Sequence, residues 1–254
     1  MYSHIDVTDE GPFRVITMQR PHRRNSLSED HLAELDRALA EAADSDARGV
    51  IIAAEGPVFS SGHDFGDMAG RDLPAMERLL ELCGTVMQRI PTMPQPVIAQ
   101  VEGLATAAGC QLVASCDLAV AGASAGFQLP GGRGGWGCTT PAVGVARAVG
   151  RKHALEMLLT GDAIDAETAL AWGLVNRVVP DDEVATATRE LLSAATRGSA
   201  LAKGVTKQAF YKQVDLPVPQ AYDYATRVMA ASSQLPPAQE GIAAFLEKRR
   251  PTFD

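Results

Sequence analysis

The sequence is organised around one stretch, Glu102-Gly103-Leu104-Ala105-Thr106-Ala107-Ala108-Gly109-Cys110-Gln111. It follows an apolar run at 96–101 that is typical of a strand, and it leads into a run typical of a short buried helix. Small side chains at such a junction allow a ligand to approach the backbone closely. The first amides of the helix, together with the helix dipole, favour negative charge that develops on the ligand. The junction therefore predicts a strand–turn–helix unit of an α/β fold, with an oxyanion hole at its turn.

Length and composition limit the class of protein. The chain has 254 residues, of which 46% are hydrophobic and 21% charged, and this suits one large domain or a core with an appendage. Its net charge of −8 argues against nucleic acids and anionic membranes as general partners. We expect no signal peptide at residues 1–6, no membrane-spanning segment and four reduced cysteines, and hence a cytoplasmic protein.

Strand and helix patterns alternate along most of the chain. Strands are predicted at 14–18, 49–54, 97–101, 118–121 and 175–179, and helices after the N-cap Ser28 and at 73–90, 109–116, 142–149, 151–160 and 166–172. Pro91, Pro94 and Pro96 are expected to end the long helix, and 122–141 to be irregular. This alternation predicts an α/β core with a largely parallel sheet. We assign residues 1–195 to that core and the strandless residues 196–254 to a helical C-terminal region.

Two short motifs suggest other functions, and each lacks the structural context that it needs. Gly132-Arg133-Gly134-Gly135-Trp136-Gly137 matches a dinucleotide fingerprint, but it follows Pro130-Gly131 and opens no helix. Gly122-Ala123-Ser124-Ala125-Gly126 matches a hydrolase nucleophile elbow, but no acidic residue lies between Ser124 and His153, the one downstream histidine. The histidines form no metal-ligand pair at helical spacing, so no metal site is expected.

A second loop, Gly56-Pro57-Val58-Phe59-Ser60-Ser61-Gly62-His63-Asp64-Phe65, follows the predicted strand at 49–54. Alone, it is typical of a surface turn. Together with the stretch at 102–111, it has another interpretation, because two strand-end loops rich in small residues can each direct one backbone N–H at a single carbonyl oxygen.

These segments resemble the enoyl-CoA hydratase/isomerase, or crotonase, family, and the resemblance covers nearly the whole chain. The residues that carry it are Arg20-Pro21 with Arg24-Asn25-Ser26-Leu27, Phe59 to Asp64, Pro96 to Asp117, Leu158 to Gly161, Ala169 to Val175, Glu240-Gly241 and Phe245 to Arg249. The resemblance implies a spiral of ββα repeats with a C-terminal helical trimerisation region, in trimers that often pair into hexamers. It also implies acyl-CoA thioesters as substrate or ligand, no permanently bound cofactor, and a place in fatty-acid or related CoA metabolism.

By position, the resemblance assigns the oxyanion-hole amides to His63 and Ala108. The loop at 22–27 and the residues after His63 are expected to hold the coenzyme A. Its candidate contacts are Arg24, Ser61, Asp64 and Phe65, with Phe245 and Lys248 at the nucleotide end, from the same or a neighbouring subunit. Arg24 and Lys248 also suit the simpler interpretation of solvated surface groups.

The chain departs from the family at both positions where hydratases carry a catalytic glutamate. These positions are Gln111 and Gly131 here, and neither side chain can cycle a proton. Other candidate bases are the His63 ring, Asp67 and Glu102, each of which also suits a packing or capping role. Arg133 and Trp136 are candidates for the acyl pocket or for plain surface and packing roles, and Asp117 is interpreted as structural.

The sequence thus predicts a protein that binds an acyl-CoA thioester and stabilises its enolate. Isomerase-like or other enolate chemistry is favoured over hydration, because both hydratase carboxylates are absent. The alternative is a catalytically silent acyl-CoA-binding or regulatory protein.

Overall fold

The structure is a computed structural model that describes residues 2–253. The strands in this part of the chain are β1 (Ile5–Glu10), β2 (Phe13–Met18), β3 (Gly49–Ala54), β4 (Val97–Val101), β5 (Leu104–Thr106), β6 (Leu118–Gly122), β7 (Gly126–Gln128), β8 (Ile164–Asp165) and β9 (Arg177–Val179). The helices are α1 (Glu29–Ala43), α2 (Phe65–Met68), α3 (Leu73–Thr92), α4 (Ala108–Ser115), α5 (Thr139–Val149), α6 (Arg151–Thr160), α7 (Ala166–Trp172), α8 (Val184–Ala195), α9 (Ala200–Gln213), α10 (Val218–Ser232) and α11 (Pro236–Leu246). No helix within residues 2–253 is both long and apolar enough to cross a membrane.

The strands form two sheets. The larger has the order β1-β2-β3-β4-β6-β9, and its strands are parallel except for the β1–β2 hairpin. The smaller has the order β5-β7-β8, with β5 and β7 parallel. The largely parallel sheet predicted from the alternation is therefore confirmed.

Successive turns of the chain repeat one pattern. β4 and β6 lie in the large sheet, and each leads within a few residues to a short strand of the small sheet, β5 or β7. Gly103 makes the first of these turns, with φ at +73°, and a Cβ there would collide with the Pro57 carbonyl. Only glycine fits this turn, which carries the chain from one sheet to the other and places β5 in front of α4.

The core lies on both faces of the large sheet. Val50 and Ile52 of β3 face one large cluster together with α1 and α3, whereas Ile51 faces a smaller cluster with Leu192 of α8. A strand covered on both faces needs a nearly continuous apolar run, and β3 has one.

Several predicted elements are confirmed and others differ. β3 and β4 and helices α6 and α7 have the predicted bounds, and the Ser28 hydroxyl caps α1 by accepting the His31 N–H. Pro91 lies inside α3 instead of ending it, because a proline in the last turn removes one hydrogen bond while Met93 N still reaches the Arg89 carbonyl. The segment at 122–141 contains β7, a 3₁₀ turn and the start of α5, and is not wholly irregular as predicted.

The region after 195 is helical, as expected, although the division of the chain at 195 stays a prediction. Its helix α9 is attached to the core by a buried ion pair: Lys207 Nζ lies 2.6 Å from an Asp117 carboxylate oxygen. Asp117 also accepts the Val97 N–H and the Tyr211 hydroxyl, so its predicted structural role is confirmed. Burial lowers the pKa of Lys207, and the charge of Asp117 opposes that shift.

Loss of the lysine is expected to destabilise the fold. Lys207→Met should lower the free energy of unfolding by about 3 kcal/mol, because it leaves a buried carboxylate without its counter-ion. Urea unfolding measures this, with Lys203→Met, at an exposed position of the same helix, as the matched control. Equal stabilities for the two variants would show that the ion pair contributes nothing.

Candidate active site

The two loops singled out in the sequence lie against each other. Ser60 and Ala105 form an isolated parallel bridge, in which Ser60 N–H donates to the Leu104 carbonyl and Thr106 N–H donates to the Ser60 carbonyl. Gly62 then passes so near the start of α4 that a Cβ on it would lie 2.9 Å from the Ala107 Cβ and 3.2 Å from the Ala108 nitrogen. Absence of a side chain at Gly62 therefore brings His63, the next residue, close to Ala108.

The amides of His63 and Ala108 are both free to bind a ligand. Leu27 forms a parallel bridge with His63, in which the Leu27 N–H donates to the Gly62 carbonyl and the Leu27 carbonyl accepts the Asp64 N–H. In such a bridge the N–H of the middle residue, His63, points away from Leu27. Ala108 is the first residue of α4, and its N–H therefore has no acceptor inside the helix. Among residues 2–253, neither amide finds an acceptor. This arrangement suits a pair of donors for one carbonyl oxygen.

Ala107 holds a conformation that L-residues rarely adopt. Its φ is 52° and its ψ is −118°, and it is the N-cap of α4 without a side-chain capping bond. Such backbone strain costs about 1–3 kcal/mol and persists where the surrounding structure enforces it. Here Ala107 N–H donates to the Gln128 carbonyl, and its own carbonyl accepts Gln111 N–H. The strained ψ sets the direction of the next peptide, and hence of the Ala108 N–H.

Several polar side chains next to these two segments in the sequence are buried without partners. Within residues 2–253 the Gln111 carboxamide oxygen, the Thr106 hydroxyl and both His63 ring nitrogens are buried and make no hydrogen bond. Gln111 is only 5% exposed. Burial lowers the pKa of His63, and the nearby Asp67 charge partly opposes that shift, so the neutral ring is favoured.

The other candidate bases are engaged elsewhere. The Asp67 carboxylate accepts the Glu29 N–H and pairs with Arg71, which favours its capping role. Glu102 accepts a bond from the Gln100 amide. No group of three or more His, Cys, Asp or Glu side chains in residues 2–253 is arranged to hold a metal ion.

Gly131 lies where no side chain fits. A Cβ there would collide with the Trp136 carbonyl and lie 2.7 Å from Cys138 Sγ. The Gly131 N–H donates to that sulfur at 3.3 Å. Nearby, Arg133 pairs with Asp162 at 2.7 Å, and Trp136 is half-exposed, so both residues have the surface roles that the sequence also allowed.

A cleft of about 390 Å³ opens beside His63. Its lining is His22, Arg23, Arg24, Ser26, Ser61, His63, Asp64, Phe65 and Gly66. It thus brings together Arg24, Ser61, Asp64 and Phe65, four of the residues predicted to hold coenzyme A. Phe245 and Lys248 do not line it; Phe245 is 82% exposed on α11, and Lys248 is exposed just beyond that helix.

Asp64 organises the basic side of the cleft and has little capacity left for a ligand. Its carboxylate accepts bonds from Arg20, Arg23 and Ser26, and from the Gly66 N–H. Burial alone would raise the pKa of Asp64, but the bonds from Ser26, Arg23 and Gly66 hold it below its ordinary value. These bonds give Asp64 a positioning role in the loop, and its predicted contact with the coenzyme stays a prediction.

The sequence patterns did not single out His31, a residue of α1 whose ring contacts the loop at 22–27. Its Nδ1 lies 3.1 Å from the Ser26 carbonyl, and because a carbonyl only accepts, Nδ1 carries the proton. The bare Nε2 is buried without a partner. Burial, chiefly, lowers the pKa of His31 from 6.5 to about 4, and the Arg20 charge adds to the shift.

His31 should make stability depend on pH. The unfolded chain binds a second proton on the His31 ring near pH 6.5, whereas the folded chain binds it only near pH 4. The contribution of His31 to stability is therefore full above pH 6.5 and decreases as the pH falls from about 6.5 to about 4. The slope from this group is at most about 1.4 kcal/mol per pH unit. His31→Asn keeps an N–H donor and should flatten the urea-derived profile. His22→Asn, at an exposed position of the loop at 22–27, should leave the profile unchanged. Identical slopes for wild type and His31→Asn would refute the assignment.

Relief of strain at Ala107 should stabilise the fold. Ala107→Gly is expected to raise the free energy of unfolding by about 1 kcal/mol, since glycine adopts positive φ without penalty. Ala108→Gly, one residue on in the helix, should instead lower it by about 0.5–1 kcal/mol. Urea unfolding of both variants measures the difference, and a loss of stability in both would show that Ala107 is not strained.

The chain is similar to known proteins over nearly its whole length. Residues 10–254 match the family model described as Enoyl-CoA hydratase/isomerase. Enoyl-CoA hydratase domain-containing protein 3, mitochondrial, of Mus musculus is 45% identical over 244 residues, which are 94% of this chain and 81% of that protein.

Two solved structures show the same fold. An enoyl-CoA hydratase of Mycobacterium smegmatis is 41% identical, with a TM-score of 0.95 over 98% of each chain. Human enoyl Coenzyme A hydratase domain-containing protein 3 is 42% identical, with a TM-score of 0.95 over 98% of this chain and all of that one. The α/β crotonase fold is confirmed, and the chain belongs to the enoyl-CoA hydratase/isomerase family.

Proposed function

We propose that this protein binds acyl-CoA thioesters and stabilises the enolate of the acyl group through the amides of His63 and Ala108. The observation that carries the proposal is the close approach of Gly62 to Ala108, which puts two unbonded N–H groups beside each other. Aligned donors in a buried site stabilise negative charge on a thioester oxygen more strongly than water does.

The cleft beside His63 supports the same ligand class. Arg24 is exposed at its edge and pairs with no carboxylate among residues 2–253, so its guanidinium is available to phosphate oxygens. Phe65, 75% exposed, offers an aromatic face in the same cleft. The thioester carbonyl would reach the two amides from this side, because His63 lines the cleft.

Hydration is not part of the proposal. Gln111 cannot cycle a proton, and Gly131 is enclosed by Trp136 and Cys138, so a glutamate there would require the loop to move. The neutral His63 ring is the one candidate base with unoccupied nitrogens near the amides. Removal of a proton from the carbon beside the thioester would give the enolate, and its return to the same or another carbon would give exchange or isomerisation.

The alternative function is acyl-CoA binding without turnover. It is favoured by the same two positions, Gln111 and Gly131, and by the engagement of the Asp67 carboxylate with Glu29 and Arg71. Both functions require the cleft, and they differ in whether carbon–hydrogen bonds of the ligand exchange with solvent.

The helical C-terminal region supports a proposal on assembly. Large apolar side chains are exposed on α9, α10 and α11: Phe210, Tyr222, Met229, Ile242, Phe245 and Leu246. Several large exposed apolar side chains on three helices are typical of an interaction surface, and we assign them to contacts in a homotrimer or a pair of trimers. The cytoplasmic location stays a prediction, and the relative from Mus musculus is named mitochondrial.

Calorimetry with acetyl-, butyryl- and crotonyl-CoA tests binding, and mass spectrometry in heavy water tests exchange of the hydrogens beside the thioester. We expect binding and exchange, with no detectable hydration of crotonyl-CoA. Arg24→Gln should weaken binding by about tenfold, as the loss of one charge-assisted bond does. Arg151→Gln, at an exposed position away from the cleft, should not change it.

Each outcome separates the alternatives. Binding without exchange would support the silent protein, and rapid hydration would refute the account of Gln111 and Gly131. Absence of any acyl-CoA binding would refute both functions.

A further inference from the structure

The hydroxyl of Ser60 is buried between the loop at 22–27 and the residues that lead to His63. Ser60 has no exposed surface. Its Oγ donates to the Asn25 carbonyl at 2.8 Å and accepts the Gly62 N–H at 3.3 Å. Ser60 does not line the cleft, so the hydroxyl acts on the main chain around it and not on a ligand there.

Gly62 depends on that hydroxyl, because it has no side chain to hold its conformation. Its φ is +82°, and among residues 2–253 the Ser60 oxygen is the acceptor of its N–H. Its carbonyl accepts the Leu27 N–H at 2.8 Å. A peptide bond is planar and trans, so the Gly62 carbonyl and the His63 N–H point in opposite directions, and rotation at Gly62 turns that N–H. The two bonds to Gly62 therefore set the direction of the His63 amide.

The main chain of Ser60 also contacts the segment that carries the second amide. Its N–H and carbonyl form the parallel bridge to β5 described above. A Cβ on Gly109, the second residue of α4, would lie 2.7 Å from the Ser60 Cβ, so Ser60 packs against the first turn of that helix. One residue is thus joined to the segment before His63 and to the segment around Ala108.

The loop at 22–27 has support that does not involve the Ser60 hydroxyl. The side chain of Asn25 is fully buried, and its Nδ2 donates to two carbonyls of the loop after β3, at 2.8 and 2.9 Å. Its Oδ1 accepts the Arg20 N–H at 2.8 Å. Removal of the Ser60 hydroxyl should therefore leave the cleft in place and release only Gly62.

We propose that Ser60 is a positioning residue for the thioester site, whose hydroxyl holds the His63 N–H in the direction that lets it share one carbonyl oxygen with the Ala108 N–H. This inference rests on the proposed acyl-CoA function and adds to it a residue that acts through the main chain. Hydrogen bonds weaken steeply as they depart from linearity, so a His63 amide that has turned polarises the thioester carbonyl less.

Infrared difference spectra of acetyl-CoA, isotope-labelled at the thioester carbonyl, test the inference. Two aligned donors polarise a bound carbonyl and lower its stretching frequency, and wild-type protein should show this shift relative to the free ligand. Ser60→Ala should lose about half of the shift, because one of the two donors is then misaligned. Its affinity for coenzyme A without an acyl group, measured by calorimetry, should equal that of wild type.

Ser45→Ala is the matched control, because the Ser45 hydroxyl has the same bonding pattern at the end of α1. It donates to the Ala42 carbonyl at 2.8 Å and accepts the Ala47 N–H at 3.2 Å. This variant should keep the full shift. Ser60→Cys retains a weak donor and acceptor at the position, and it should keep more of the shift than Ser60→Ala does.

The failures of the two proposals can be told apart. A full shift in Ser60→Ala, or in Ser60→Cys where Ser60→Ala does not fold, would overturn this inference while the proposed acyl-CoA function stands. Loss of coenzyme A affinity together with the shift in both Ser60 variants would give Ser60 a merely structural role and also overturn it. Wild-type protein that binds acetyl-CoA without a shift, or does not bind it, would overturn both proposals.

Discussion

Close backbone approach at three glycines is the constraint on which the site depends. Gly103, Gly62 and Gly109 have no room for a Cβ: it would meet the Pro57 carbonyl, the start of α4 and the Ser60 carbonyl, respectively. Together these contacts fix the loop after β3 to the β5–α4 junction. The positions of two amides on separate segments are thereby set by main-chain packing, which leaves the side chains around them free to vary without loss of the donor pair.

The strained residue and the basic loop complete that arrangement by different means. The packing of Gly62 and the hydrogen bond to the Gln128 carbonyl keep Ala107 in its strained conformation. That conformation sets the direction of the peptide between Ala107 and Ala108. On the other side of His63, the Asp64 carboxylate gathers two arginines and thereby shapes a positive surface. The two amides and the basic cleft thus adjoin at one residue, His63, and burial lowers the pKa of its ring.

Sequence reasoning predicted those features that leave a local pattern. β3, α1 and α6 were predictable because each has its own periodicity, run or cap, and the pairing of the loops at 56–65 and 102–111 followed from small residues at strand ends. β1 was missed because most of its residues are polar or exposed, as at a sheet edge. β5, β7 and β8 were missed because strands of three or fewer residues depend on a partner from elsewhere in the chain for their bonds. His31 was missed for a related reason: its role depends on the Ser26 carbonyl above it, and the helix pattern marks it only as one more position of α1.

The two substituted positions have unequal consequences, which sequence alone cannot reveal. At Gly131 the space for a side chain has closed, since Cys138 and the Trp136 carbonyl occupy it, and the sulfur accepts the glycine N–H. At Gln111 the side chain has the length of a glutamate without its charge, and its carboxamide oxygen is buried without a partner among residues 2–253. A side chain that can cycle a proton is therefore absent at both positions, whereas a polar side chain is absent at only one. The proposed acyl-CoA function therefore depends on the amide pair and the basic cleft, which rest on main-chain packing and on the ion pairs of Asp64 and not on the side chains at positions 111 and 131.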